Sequence, residues 1–422
     1  MATKTATGSI KTSQGKPYEL VVFGATSFVG KILCDYLSNR CTSDKDLRWA
    51  IAGRSQSKLD ALKQSLGPAA SSIAVLLADA ADSASLEKLC AQTRVVVSTV
   101  GPYALYGEPL IKACVESGTD YCDLTGEVQW IRRMIQQYET RAKQSGAKIV
   151  HCCGFDSIPS DMGVWFLQEA SRSRFGKVCN RVKMRVKAAK GEFSGGTVAS
   201  LMNVAKEAAS SPALRKELSN PYSICSTENP HPVRQPDVKS AKYDSDFNAW
   251  VAPFVMAAIN TRIVHRSNAL SAYAYGQDFV YDEALLTGRG LRGWSAAQAI
   301  TVGLGSFLVA AAIKPTRWAL ERFVLPAPGE GPSPEMQKKG YYDLRFVGTN
   351  DSGEIIRVKV AGDQDPGYGS TSKMLGQAGI CLARDIPTGK AGGFWTPSTL
   401  LGASLKDRLV NYAGLTFTVT EK

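Results

Sequence analysis

The run Leu20-Val21-Val22-Phe23 passes directly into Gly24-Ala25-Thr26-Ser27-Phe28-Val29-Gly30, and this junction limits the chain's options more than any other segment. The apolar run reads as a buried strand. Val29, Ile32, Leu33, Tyr36 and Leu37 then follow the 3.6-residue period of a helix with one buried stripe. A strand, a glycine turn and a helix in that order open a βαβ unit. In such a unit Gly24 lets the chain turn, and the amides at 26 to 29 aim along the helix dipole at an anionic group. Gly30 allows close packing of helix on strand, and Ser27, in place of the fingerprint's middle glycine, offers a hydroxyl to a phosphate.

The alternation continues as far as residue 171. Strands are expected at Glu19 to Gly24, Leu47 to Gly53, Ile73 to Ala78, Val95 to Val100, Tyr121 to Leu124 and Lys148 to Cys152. Helices are expected near 28–39, 56–66, 83–91, 107–117, 127–145 and 160–171. The fold class is α/β, a Rossmann-type doubly wound parallel sheet with a second α+β domain. At 422 residues the chain exceeds one core. The division expected is a disordered tail at 1–17, a nucleotide-binding domain at 18–175, an α+β substrate or dimerisation domain at 176–365, and a C-terminal segment at 366–422 packing back on the domains. Longer alternating strands at 178–188, 341–348 and 354–361 mark the second domain, with an excursion at 219–248.

The second strand ends in Arg54, where an acid would bind the ribose hydroxyls of NAD. Arg54, with Ser55 and Lys58, instead offers cations and a hydroxyl to a 2′-phosphate, so NADP(H) is the expected cofactor. The fourth strand ends in a Gly101-Pro102 turn beside the first, where ligands of doubly wound sheets lie. Tyr103, Asp123, Glu127 and Asp156 follow predicted strand ends, and these four are the candidate catalytic residues. Asp123 and Asp156 serve equally well as helix caps, and Tyr103 as a packing residue.

The net charge of +12 favours acidic partners. Arg181, Lys183, Arg185 and Lys187 alternate with Val182, Met184 and Val186, the pattern of a strand with one solvated basic face. Nucleic acid is not expected, because that run lacks interleaved aromatics. Ten cysteines without a CxxC pair suit a reducing, intracellular setting, either cytoplasmic or peripheral on an internal membrane. The three histidines, His151, His231 and His265, imply no metal site. Trp294 to Ile313 is uncharged and flanked by Arg289, Arg292, Lys314 and Arg317. It is read as a membrane-contacting helix, a buried helix or a subunit contact.

The segments VVFGATSFVG, WAIAGRSQSKL, STVGPYALYGEPLIKAC, DYCDLTGE and CCGFDSIPSDMG occur in this order. Together they resemble the saccharopine dehydrogenase-like oxidoreductases, in the branch of the trans-acting enoyl reductases. VHRSNALSAYAYGQDFVYDE, DPGYGSTSKMLGQAGICLA and GGFWTPSTLLG extend the resemblance over nearly the whole chain. It implies a Rossmann domain with an α+β domain, and NADP(H) carried by Gly24 to Gly30, Arg54 and the Gly101-Pro102 turn. Ser27 departs from the family's more usual glycine. The expected function is NADPH-dependent reduction of a polarised C=C bond on a small apolar lipid- or polyketide-like substrate, free or carrier-bound, with a membrane surface or a second copy as further partners. One alternative is reduction of an imine, which would need arginines such as Arg262, Arg266 or Arg289 for substrate carboxylates. The other is a non-catalytic NADP-binding protein at a membrane.

Overall fold

The computed structural model describes residues 15–39, 46–191, 195–225, 233–323, 331–387 and 389–421. His231 and most of the expected N-terminal tail fall outside these. Within the tail, residue 16 is tied down: the Lys16 ammonium donates to the Cys90 carbonyl at 3.1 Å and to Thr119 Oγ1 at 2.8 Å.

Seven parallel strands form the first sheet. They are β1 (Tyr18–Phe23), β2 (Trp49–Gly53), β3 (Ala74–Leu77), β4 (Thr93–Ser98), β5 (Asp120–Asp123), β6 (Lys148–Val150) and, from far along the chain, the strand Gly393–Trp395. The order runs from Gly393–Trp395 through β6, β5, β4, β1 and β2 to β3. It reverses between β1 and β4, the crevice where doubly wound sheets bind ligands. Alternation within β1 explains why both faces are covered. Leu20 and Val22 enter one core with Leu33, Met374 and Leu375, whereas Val21 and Phe23 enter the other with Leu86, Ile111 and Ile131. The helix Gly369–Arg384 is buried along almost its whole length against β1, β4, β5 and the helix Phe28–Asn39.

The second sheet also has seven strands: β7 (Arg181–Lys190), β8 (Lys242–Asp244), β9 (Ala249–Ala252), β10 (Val280–Gly288), β11 (Tyr341–Thr349), β12 (Ile355–Gly362) and, beyond β13 (the strand Gly393–Trp395), β14 (Leu415–Thr420). Its order is β14-β12-β11-β7-β10-β9-β8, antiparallel except for β7 beside β10. The C-terminal segment thus adds β13 to the first sheet and β14 to the second, lacing them together. The helix Ile158–Phe175 packs on β11, β12 and β14 and on the helix Ala257–Leu270.

The basic face of β7 is solvated at Arg181 and Lys187, as expected, but not between them. Lys183 and Arg185 are buried. Arg185 pairs with Asp244 and Asp282, and Lys183 with Asp244 at 3.1 Å and with Asp246. Alternation located the face, but the acids that cover it come from β8, its following turn and β10, elements remote in sequence. The excursion at 219–248 is therefore partly structural, since it delivers Asp244. The uncharged segment lies in a helix spanning Gly290–Ala312, which packs on β9, β10 and the helix Gly195–Ser210. Most of it faces outward.

Candidate active site

The glycine turn has the geometry of a phosphate cradle. Gly24 has φ +82°, and a Cβ there would lie 2.6 Å from Val100 Cγ2; a Cβ on Gly30 would lie 2.3 Å from the Gly24 carbonyl oxygen. Neither position has room for a side chain. Ser27, expected to donate to phosphate, is engaged within the loop. Its hydroxyl accepts the Gly30 amide at 2.9 Å and meets Thr99 Oγ1 at 3.0 Å, while Thr99 donates to the Gly24 carbonyl at 2.9 Å. Ser27 therefore caps the helix and ties the loop to the end of β4. The amides of Thr26, Phe28 and Val29 make no hydrogen bond among the described residues, and at a helix N-terminus such amides receive anions.

Arg54 sits exposed just after β2, without an ion pair among the described residues, followed by Ser55 at the start of the helix Gln56–Ser65 and by exposed Lys58. Gly101 and Pro102, joined by a cis peptide, leave β4 beside this loop. Ala25 is buried beneath it. Phe28 meets Tyr368 edge to face at 4.7 Å, and Gly331 backs onto both rings. Free amides, two crowded glycines and an unpaired arginine at the second strand fit a dinucleotide with a 2′-phosphate.

Three of the four expected catalytic residues are struts. Tyr103 is buried; its hydroxyl donates to the Ser98 carbonyl at 3.0 Å and accepts the Leu124 amide at 3.2 Å. Burial and the nearby Asp123 push its phenol well above the ordinary range, so it holds its proton firmly. Asp123 accepts from Tyr121 at 3.0 Å, lies 2.7 Å from His151 Nδ1, and receives the amides of Thr125 and Cys152. Glu127 accepts the amides of Tyr103 at 2.8 Å and Ala104 at 3.0 Å, and the Ser200 hydroxyl. It caps the short helix Tyr103–Tyr106.

Asp156 is different. It is half-buried, and its carboxyl makes no hydrogen bond among the described residues. It sits in the turn between β6 and the helix Ile158–Phe175, where Cys152 (φ +61°) and Ser157 (φ +126°) hold left-handed backbone that side chains rarely adopt. One carboxyl oxygen reaches the β5 turn, 3.4 Å from where a Cβ on Gly126 would stand. Burial, reinforced by the charge of Glu283, pushes its pKa up to about 7.

Glu283, on β10, was not anticipated from the sequence. It is buried, accepts from Tyr281 at 2.7 Å and from Asn260 at 2.9 Å, and has a pKa raised by burial to about 7. Asn260 in turn accepts the Ser157 hydroxyl at 3.0 Å. An acid pair in the otherwise apolar-alternating Val280–Gly288 strand was the available signal. The arginines needed for an imine's carboxylates are spent elsewhere. Arg262 binds the Ala258 and Leu218 carbonyls, Arg266 those of Ile224 and Phe394, and Arg289 that of Asn248.

A glycine cradle at the switch point and a cationic second-strand end define an NADP-dependent oxidoreductase. Residues 20–150 match the saccharopine dehydrogenase NADP binding domain. The chain belongs to the trans-acting enoyl reductase family. It is 36% identical over 410 residues to the trans-acting enoyl reductase of Mycobacterium bovis, covering 93% of this chain and 96% of that one. It is 38% identical over 408 residues to a Mycobacterium tuberculosis relative provisionally given the same name, covering 94% and 96%. The fold is also that of a saccharopine dehydrogenase (L-Glu forming) from Saccharomyces cerevisiae, at 11% identity with a TM-score of 0.53, covering 96% of this chain and all of that one.

Proposed function

We propose that this protein reduces the polarised C=C bond of an enoyl thioester on an apolar, lipid- or polyketide-like chain, with Asp156 as the proton donor. The observation that carries this reading is a half-buried carboxyl in the turn after β6 that makes no hydrogen bond among the described residues, its pKa pushed up to about 7 by burial and the charge of Glu283. The names of the relatives support an enoyl acceptor, and "trans-acting" supports a substrate carried by a separate synthase.

Gly24, Ala25, Thr26, Phe28, Val29 and Gly30 would cradle the pyrophosphate, Arg54, Ser55 and Lys58 the 2′-phosphate, and Gly101 and Pro102 would line the nicotinamide ribose. Bound NADPH supplies a hydride. With hydride arriving at the β-carbon, the C=C electron pair moves toward the carbonyl, and Asp156 delivers its proton to the α-carbon of the resulting enolate. Glu283 acts through Asp156 as a positioning residue, its negative charge favouring the protonated neighbour. The protein works inside the cell, in the cytoplasm or on the face of an internal membrane.

The test follows nicotinamide absorbance with enoyl-thioester and imine acceptors, for the native protein and for Asp156→Asn. Turnover of the enoyl thioester that the substitution lowers by 10² or more supports the reading. Preferred turnover of the imine, or full activity in Asp156→Asn, overturns it. Tight NADPH binding with no acceptor reduced would leave a nucleotide-binding protein without catalysis.

A further inference from the structure

We propose that the successive helices Gly290–Ala312 and Lys314–Phe323 dock flat into the headgroup layer of an anionic lipid bilayer without crossing it. The inference rests on the proposed function only for the apolar substrate that such a surface would supply.

The longer helix is built inside out for a water-exposed element. Its buried residues are Gly293, Ala297 and Ala311, whereas Leu291 (77% exposed), Val302 (65%) and Val309 (61%) face outward. At 3.6 residues per turn, these last three positions, 11 and 7 residues apart, fall on one line along the helix. Trp294 and Leu308 on the same helix, and Ile313 and Trp318 beyond its end, are exposed as well. A soluble helix puts its large apolar residues inward. Here the fully buried positions are small, with Leu304 and Phe307 half-buried beside them, and the most exposed positions are large and apolar. Ser295 and Gln298 are the polar residues on this line, and Ser295 returns its hydroxyl to the Arg292 carbonyl at 3.0 Å, as Thr301 beside it does to the Ala297 carbonyl at 2.8 Å.

The helix is long enough to span a bilayer, at about 34 Å. Its attachment decides otherwise. Gly293 near its start and Ala311 near its end are both buried, the Thr287 hydroxyl donates to the Gly293 carbonyl at 2.8 Å, and the helix lies along β9 and β10. Crossing would strip it from the second sheet.

Charge chooses the occupant. Residues 289–323 carry Arg289, Arg292, Lys314, Arg317 and Arg322 against the single acid Glu321, and the basic residues cluster at both ends of the apolar stripe. A two-fold contact between copies would set this patch against itself and bring like charges together. Lipid phosphates complement it instead, and Trp294 and Trp318 suit headgroup depth.

The full chain, without NADPH or acyl substrate, would be floated with phosphatidylcholine vesicles and with vesicles containing phosphatidylglycerol. Flotation with the anionic vesicles, released by alkaline carbonate, is expected. Val302→Glu with Val309→Glu should abolish it, and Arg292→Gln with Lys314→Gln should weaken it by about 25-fold, roughly fivefold per charge. NADPH binding should persist in all variants, showing that they fold. Absence of flotation, resistance to carbonate, or a solution dimer that the glutamate variants split would each overturn the proposal. Failure of enoyl reduction with flotation intact would sink only the catalytic reading.

Discussion

Asn260 joins two domains through one side chain, donating to Glu283 of the second sheet at 2.9 Å while accepting from Ser157 at the end of the first at 3.0 Å. The amide fixes both the carboxylate that faces Asp156 and the strained turn that carries Asp156. Glu283→Gln keeps the shape and deletes the charge. It should lower the pKa of Asp156 and move the alkaline limb of the kcat/KM profile downward, whereas a purely structural role would change Tm and leave the profile in place.

That alkaline limb has a definite sign. A donor must be protonated, so turnover is full below the pKa of Asp156, about 7, and falls above it. Stability follows the same direction. The folded-state pKa lies above the ordinary carboxyl value, so the native state holds the proton more tightly and loses stability as pH rises from about 4 through 7. Thermal melts should show this slope in the native protein and a shallower one in Asp156→Asn.

Arg54→Ala should remove the preference for NADPH over NADH, a loss of about 1.4 kcal/mol or more, read by fluorescence titration of both nucleotides. The exposed Arg54 has no structural partner among the described residues, so Tm should stay within about 1 °C. Equal loss of both nucleotides would argue against a 2′-phosphate contact.

Gly30→Ala places a methyl 2.3 Å from the Gly24 carbonyl oxygen, where backbone cannot retreat. It should abolish binding of either nucleotide, measured by calorimetry, and lower Tm by several degrees.

Asp244→Ala would leave Arg185 and Lys183 buried with too little opposite charge. A cost of about 3–5 kcal/mol in urea unfolding is expected. Despite burial, the two cations hold the Asp244 carboxyl below its usual range. The stability it provides is present above pH ~4 and is lost as pH falls through its lowered pKa.

The amino-acid order by itself determined the first six strands of the first sheet. β1, its glycine turn and the helix Phe28–Asn39 follow from apolar periodicity, which is local, and the cradle follows from Gly24 and Gly30, whose backbone freedom no other residue shares. The cationic end of β2 was likewise visible at Arg54, because its place relative to the glycine loop is set by one βαβ unit. Tertiary structure decided which acids are free. Tyr103, Asp123, Glu127 and Asp156 look alike as residues at strand ends, and only the partners supplied by Ser98, His151, Ser200 and the amides around them separate three struts from one reachable carboxyl. Glu283 and Asn260 reach Asp156 from more than a hundred residues away, across a domain junction no local pattern encodes. The burial of Arg185 and the exposure of Val302 have the same origin, since sequence sets a side chain's polarity, whereas distant elements set what covers it.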